Sequence, residues 1–227
     1  LPGSCCMAWC ASCAARTDQR ATIMERIYIF TRFERFWHWT QAFLIIAMLV
    51  TGFEIHGTYR LLGFERAGQL HTFAAWALIT LWVFAIFWHF TTGEWRQYLP
   101  SFKKIDLVIR HYAWGIFQGE PHPFKVTRAR KHNPLQAFAY LGVKILINPL
   151  IWISGLAYLY YNELEAAGMA LNLGTIALVH TAGAFMMLCF LIAHVYLITT
   201  GHTVFAHLKA MITGWEEGEA EPGQQTP

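Results

Sequence analysis

The sequence predicts an all-α integral membrane protein, a bundle of four transmembrane helices, on three observations. First, 56% of its 227 residues are hydrophobic and only 14% are charged, well below the roughly 25% charged residues of soluble domains. Second, four apolar runs cover about residues 39–55, 70–90, 135–161 and 173–200. Each approaches or exceeds the ~20 residues a helix needs to cross hydrocarbon, and only helices satisfy a single span's backbone there. Third, the basic residues are one-sided. Arg26, Arg32 and Arg35 precede the first span, and Arg96, Lys103, Lys104, Arg110, Lys125, Arg128, Arg130 and Lys131 fill the connection between the second and third. The opposite connections carry only Arg60 and Arg66, offset by Glu65, Glu163 and Glu165. The positive-inside rule then places both termini in the cytoplasm. The net charge of +3 reflects this topology; lipid is the implied partner, and no nucleic acid is.

The membrane domain is expected over 24–212. Residues 1–23 are expected to be an unstructured extension or no part of the native protein. They hold Cys5, Cys6, Cys10 and Cys13, but Cys10-Ala-Ser-Cys13 lacks the histidine of a c-type haem attachment site, and no signal-peptide pattern precedes it. The connection over 91–133, with its Pro, Gly and basic residues, predicts short interfacial helices, and 202–212 a helix along the cytoplasmic surface. Residues 213–227, with Glu216, Glu217, Glu219 and Glu221, are expected to form a disordered acidic tail.

Histidines carry the chemistry. Ionisable groups inside membrane helices are usually functional, and His180 and His194 lie within the fourth span. Fourteen residues separate them, nearly four turns, so one helix face presents two imidazoles ~21 Å apart in depth. Imidazole is a good iron ligand, and haem offers two axial positions. His38 opens the first span on the cytoplasmic side and His71 opens the second on the outer side. Depth therefore pairs His38 with His194 and His71 with His180, a ligand set for two b-type haems in a four-helix bundle.

His56 and His89 lie eighteen residues after His38 and His71, five turns on, and are rival ligands of second rank. Gly52, Ala85 and the run Ala182-Gly183-Ala184 offer clearance for a porphyrin, although small residues also favour helix packing. Arg35, with Arg32, suits a haem propionate. Lys144, about ten residues into the third span, is expected to face the bundle interior.

Five stretches, Arg32-Phe-Glu-Arg-Phe-Trp-His-Trp39, Gly68-Gln-Leu-His-Thr72, Lys131-His-Asn-Pro-Leu-Gln136, Val179-His-Thr-Ala-Gly-Ala184 and Ile192-Ala-His-Val-Tyr196, resemble the bacterial two-haem membrane cytochrome b family. That family includes the formate dehydrogenase gamma subunit and the cytochrome b subunits of nickel-iron hydrogenase and thiosulfate reductase. The resemblance covers about 25–215 and implies His38, His71, His180 and His194 as haem ligands, in agreement with the depth pairing. It also implies a subunit of a respiratory oxidoreductase, passing electrons between a periplasmic iron-sulfur or multihaem c-type cytochrome partner and quinone. No complete primary catalytic site is expected on this chain.

A quinone needs hydrogen-bond partners in a mostly apolar cleft, and the polar entry to the third span lies close to the depth of His194. There Asn133 is a natural N-cap ahead of Pro134. The resemblance places the quinone pocket on Asn133, the backbone of Leu135, and His194; Leu135 stands where relatives can have Gly. Two other functions fit part of the pattern: a self-sufficient haem oxidase of a small diffusible species, and a haem-free transporter or assembly protein with proton-relaying histidines.

Overall fold

The computed structural model describes residues 24–99, 105–118, 120, 131, 134–200 and 203–219; the 1–23 extension lies outside them. Strand β1 (Met24–Tyr28) leads into α1 (Arg32–Ile55). That helix starts earlier than its apolar run because Thr31 and Glu34 form a capping box. The Thr31 N–H donates to Glu34 Oε2 at 2.7 Å and the Glu34 N–H to Thr31 Oγ1 at 3.4 Å.

The turn from α1 into α2 (Phe64–Thr92) is organised by buried Glu54. Its Oε1 accepts from the backbone N–H groups of Leu61, Leu62 and Gly63 at 2.7, 2.6 and 2.7 Å, a carboxylate held at a helix N-terminus. At its other end, α2 stops at Gly93, in the left-handed conformation with φ 77°. A 3-10 turn (Glu94–Tyr98), α3 (Ile105–Ala113) and a second 3-10 turn (Gly115–Gln118) follow, short elements of the expected kind.

The third span is continuous in direction but not in pitch: α4 (Pro134–Gly142), a π-helical turn (Val143–Ile147) and α5 (Asn148–Leu159). Pro149 has no N–H and its ring crowds the carbonyl of Ile145, four residues back; a wider turn relieves the clash. Tyr160 ends the span and α6 (Tyr161–Ala166) follows. The fourth span is α7 (Leu173–Ile198), capped by Asn172, whose Oδ1 accepts from the Thr175 N–H at 2.9 Å. The described chain closes with α8 (Ala206–Thr213) and strand β2 (Trp215–Glu219).

These four stretches, Arg32–Ile55, Phe64–Thr92, Pro134–Leu159 and Leu173–Ile198, are long and apolar enough to cross a membrane. α1 packs along α2, and the third span along α7. Leu44, Ala74 and Leu78 form the core between the first two. Trp82 joins the halves, its Nε1 donating to Gln41 Oε1 at 3.1 Å while its ring meets Trp152 edge-on at 4.6 Å. Gly183 does not provide the anticipated porphyrin clearance: a Cβ there would lie 2.6 Å from Ile151 Cγ1, so the small residue closes α7 onto α5. Outward faces carry large apolar side chains, Phe43 and Phe73 among them, each 71% exposed, as a lipid solvent demands.

Both strands lie at one end of the bundle, here termed basal; the 56–63 and 160–172 connections mark the distal end. β1 and β2 pair antiparallel, Met24 opposite Glu219 and Tyr28 opposite Trp215. Gly214 (φ 89°) makes the junction: its carbonyl accepts from Ile29 and Phe30, and a Cβ would strike Tyr28 and Phe30. The expected disorder from 213 onward is therefore corrected over Trp215–Glu219. Composition suggested disorder, but a strand is defined by its partner, and the register sets Arg26 opposite Glu217.

Candidate functional site

The four predicted histidines converge in two pairs at two depths. At the basal level the rings of His38 (α1) and His194 (α7) lie 6.1 Å apart centre to centre; at the distal level those of His71 (α2) and His180 (α7) lie 6.2 Å apart. One metal atom bound through a nitrogen of each of two facing imidazoles at about 2 Å would set the ring centres about 6 Å apart. Among the described residues no group of three or more His, Cys, Asp or Glu converges. Each pair thus offers two protein donors, as suits an iron whose remaining ligands come from a porphyrin.

The distal pair is oriented by matching sockets. Thr51 Oγ1 lies 3.0 Å from His71 Nδ1, and Ser154 Oγ 3.1 Å from His180 Nδ1. Each hydroxyl spends its own proton on the carbonyl four residues back, Thr51 on Ala47 at 2.8 Å and Ser154 on Leu150 at 2.6 Å. The hydroxyl oxygens must therefore accept, and Nδ1 of each ring carries the hydrogen. His180 Nδ1 also lies 3.1 Å from the Ile151 carbonyl, which only accepts. Nε2 of both rings is left with its lone pair free, the tautomer a metal ligand requires. The next residue in each socket is glycine for a steric reason. A Cβ on Gly52 would approach His71 Cε1 to 3.3 Å, and one on Gly155 would approach His180 Cε1 to 3.0 Å.

The basal pair is held by aromatic contact. His38 packs edge-on against Trp39 at 5.2 Å, and its buried Nδ1 has no hydrogen-bond partner among the described residues. His194 stacks on Phe190 at 5.6 Å and meets Tyr140 of α4 at 6.0 Å. An orphaned buried nitrogen beside a ligand-competent pair is consistent with a group that arrives from outside the chain.

The rival histidines are placed differently. His89 is buried with both nitrogens engaged, Nδ1 2.6 Å from the Ala85 carbonyl and Nε2 3.3 Å from the Tyr98 hydroxyl. His56 is an exposed helix C-cap. Arg35 donates from Nη1 to the Ile212 carbonyl at 2.5 Å, tying α1 to α8, while its buried Nε has no partner among the described residues. Leu135 sits in the first turn of α4; Asn133 lies outside the described residues. Thr51, Ser154 and Gly155 escaped sequence reading, although the Thr-Gly and Ser-Gly dipeptides in two spans were a usable signal.

Comparison with known proteins identifies the family. The family model for prokaryotic cytochrome b561 matches residues 29–214. A relative from Escherichia coli K12, named "Putative cytochrome YdhU", is 30% identical over 198 residues, spanning 84% of this chain and 75% of the relative. The expected kinship with bacterial membrane cytochromes b is borne out, and with it haem b as the family's cofactor and electron transfer in the membrane as its work. The chain belongs to the prokaryotic cytochrome b561 family.

Proposed function

We propose that this chain binds two b-type haems and conducts electrons across the bacterial inner membrane, between a periplasmic redox partner and quinone. One observation carries the reading: two histidine pairs, with ring centres 6.1 and 6.2 Å apart, stacked at two depths of one bundle. His38 and His194 would hold the basal haem, His71 and His180 the distal one. Each haem, when bound, supplies a one-electron ferric/ferrous couple. The residues do the rest. The sockets keep Nε2 of His71 and His180 unprotonated, and the Phe190 and Tyr140 rings hold water away from His194. Arg35, whose Nε has no partner among the described residues, would meet a propionate.

The quinone pocket is assigned to the basal level, at the entry to α4, with Asn133, the backbone of Leu135, and His194. Basal is then the cytoplasmic side, in keeping with the basic residues around it. An iron-sulfur or multihaem c-type cytochrome subunit would exchange electrons at the distal side.

The test is a reduced-minus-oxidised spectrum with haem quantitation on chain purified from haem-replete cells. Two haems per chain with low-spin b-type bands are expected. A chain without haem would leave the haem-free transporter reading, and haem reoxidised rapidly by a small oxidant without a quinone response would leave the self-sufficient oxidase.

A further inference from the structure

Two lysines reach the basal end under opposite conditions. Lys131 is buried with its Nζ 2.7 Å from Glu34 Oε1 and 3.1 Å from Glu94 Oε2, so its charge is matched. Lys144 lies inside the third span, part-buried, and its Nζ has no ion pair or hydrogen bond among the described residues. Its Nζ rests 2.9 Å from the centre of the Tyr98 ring. A cation–π contact attracts an ammonium without neutralising it, and is weaker than the penalty of placing a charge in a membrane span. An ionisable residue inside a span is by default a functional-site candidate. Its position in the π-turn points the same way, since π-turns concentrate at functional sites.

The platform beneath it is an acid–base element. The carbonyl of Ala85 can only accept, so His89 Nδ1 carries the hydrogen and Nε2 accepts from the Tyr98 hydroxyl. Burial, helped by Glu34, Tyr140 and Glu94, holds the Tyr98 phenol well above its usual range, so that hydroxyl stays protonated. Four residues before Lys144, on the same side of the helix, Tyr140 meets His194. Lys144 thus touches the Tyr98–His89 element and lies one helical turn from the tyrosine that meets His194. The ionisable groups around it are His89 on α2, Tyr98 and Glu94 on the 3-10 turn, Glu34 on α1, Tyr140 on α4, and Lys131. The Glu94 side chain, 27% exposed, gives the group its opening to water.

We infer that Lys144 is the proton-exchanging residue of the quinone pocket; the inference rests on the quinone reading above. Interconversion of quinone and quinol moves two electrons and two protons. The electrons would be relayed by the haem that His38 and His194 would hold, to or from the partner's redox centre, and the protons would pass to or from water on the basal side. For quinone reduction, an N–H bond of the Lys144 ammonium breaks as an O–H bond forms on the quinone oxygen, and a proton from water restores the ammonium. Quinol oxidation runs the same path backwards.

The experiment is stopped-flow reduction of the haems by a short-chain naphthoquinol, using the full chain in mild detergent, across pH, in wild type, Lys144→Met, Lys144→Gln and Lys144→Arg. Loss of a positioned proton-transfer group costs about 100-fold or more. That slowing is expected for Met and Gln, with a flattened pH profile, while Arg retains part of the rate. Dithionite-reduced spectra and haem content should be unchanged; if Met disturbs them, the Gln and Arg variants carry the comparison. Wild-type rates and pH profile in both Met and Gln would overturn the assignment and leave the quinone reading standing. A wild-type chain that no quinol reduces would overturn the quinone reading itself.

Discussion

The two histidine pairs are nearly superimposable in spacing and built to different specifications. At the distal level every imidazole has its second nitrogen tied down by a hydroxyl whose proton is already committed, and a glycine makes room for the ring. At the basal level aromatic rings pack the histidines and His38 Nδ1 is unpartnered among the described residues. Fixing the second nitrogen fixes tautomer, ring orientation and ligand basicity. The distal level therefore suits a cofactor that stays put, and the basal level leaves hydrogen-bonding capacity for a molecule that comes and goes.

The largest effects should come from the ligands. His180→Ala is expected to remove one haem and spare the other, and His38→Ala to do the converse, as read by haem-to-protein ratio and split b-band spectra. Loss of both haems in either variant would show that the levels do not load independently. Next come the sockets, since outer-shell partners of metal ligands are worth about 10- to 100-fold in affinity. Thr51→Val and Ser154→Ala should weaken distal haem retention to about that extent, in haem-transfer competition with apomyoglobin, and leave the basal haem unchanged. Equal effects at both levels would erase the contrast.

Asn133→Ala should weaken a quinone-analogue inhibitor about tenfold, the worth of one hydrogen bond of about 1.4 kcal/mol, with both haems retained. Unaltered inhibition and turnover would move the pocket elsewhere. The smallest effect is assigned to Gly155→Ala. A Cβ 3.0 Å from His180 Cε1 should tilt that ring and shift the distal haem midpoint potential alone in a redox titration, without loss of haem.

The histidine pairs were legible in the sequence because helical pitch and membrane topology turn residue number into depth: fourteen residues on one span and an opening histidine on each of two others leave little freedom. The sockets were not legible. A serine or threonine in a membrane helix ordinarily bonds its own carbonyl four residues back, and only the neighbouring helix reveals that Thr51 and Ser154 also accept from histidines. Gly52 was read as porphyrin clearance, but its missing Cβ also accommodates the His71 ring. Lys131 was read as topology alone, while its contacts to Glu34 and Glu94 join residues 97 and 37 positions away. The strand at Trp215 is the same lesson in backbone form.

That strand pairing has a bearing on how the protein is made. Tyr28 precedes every membrane span and its partner Trp215 follows them all. At roughly 5–20 residues per second of synthesis, the first strand waits about 10 to 40 seconds for the second. Throughout that interval α1 lacks its ties to Ile212 and Met211 as well. The basal end of the nascent bundle therefore stays unlatched until Trp215 has been made.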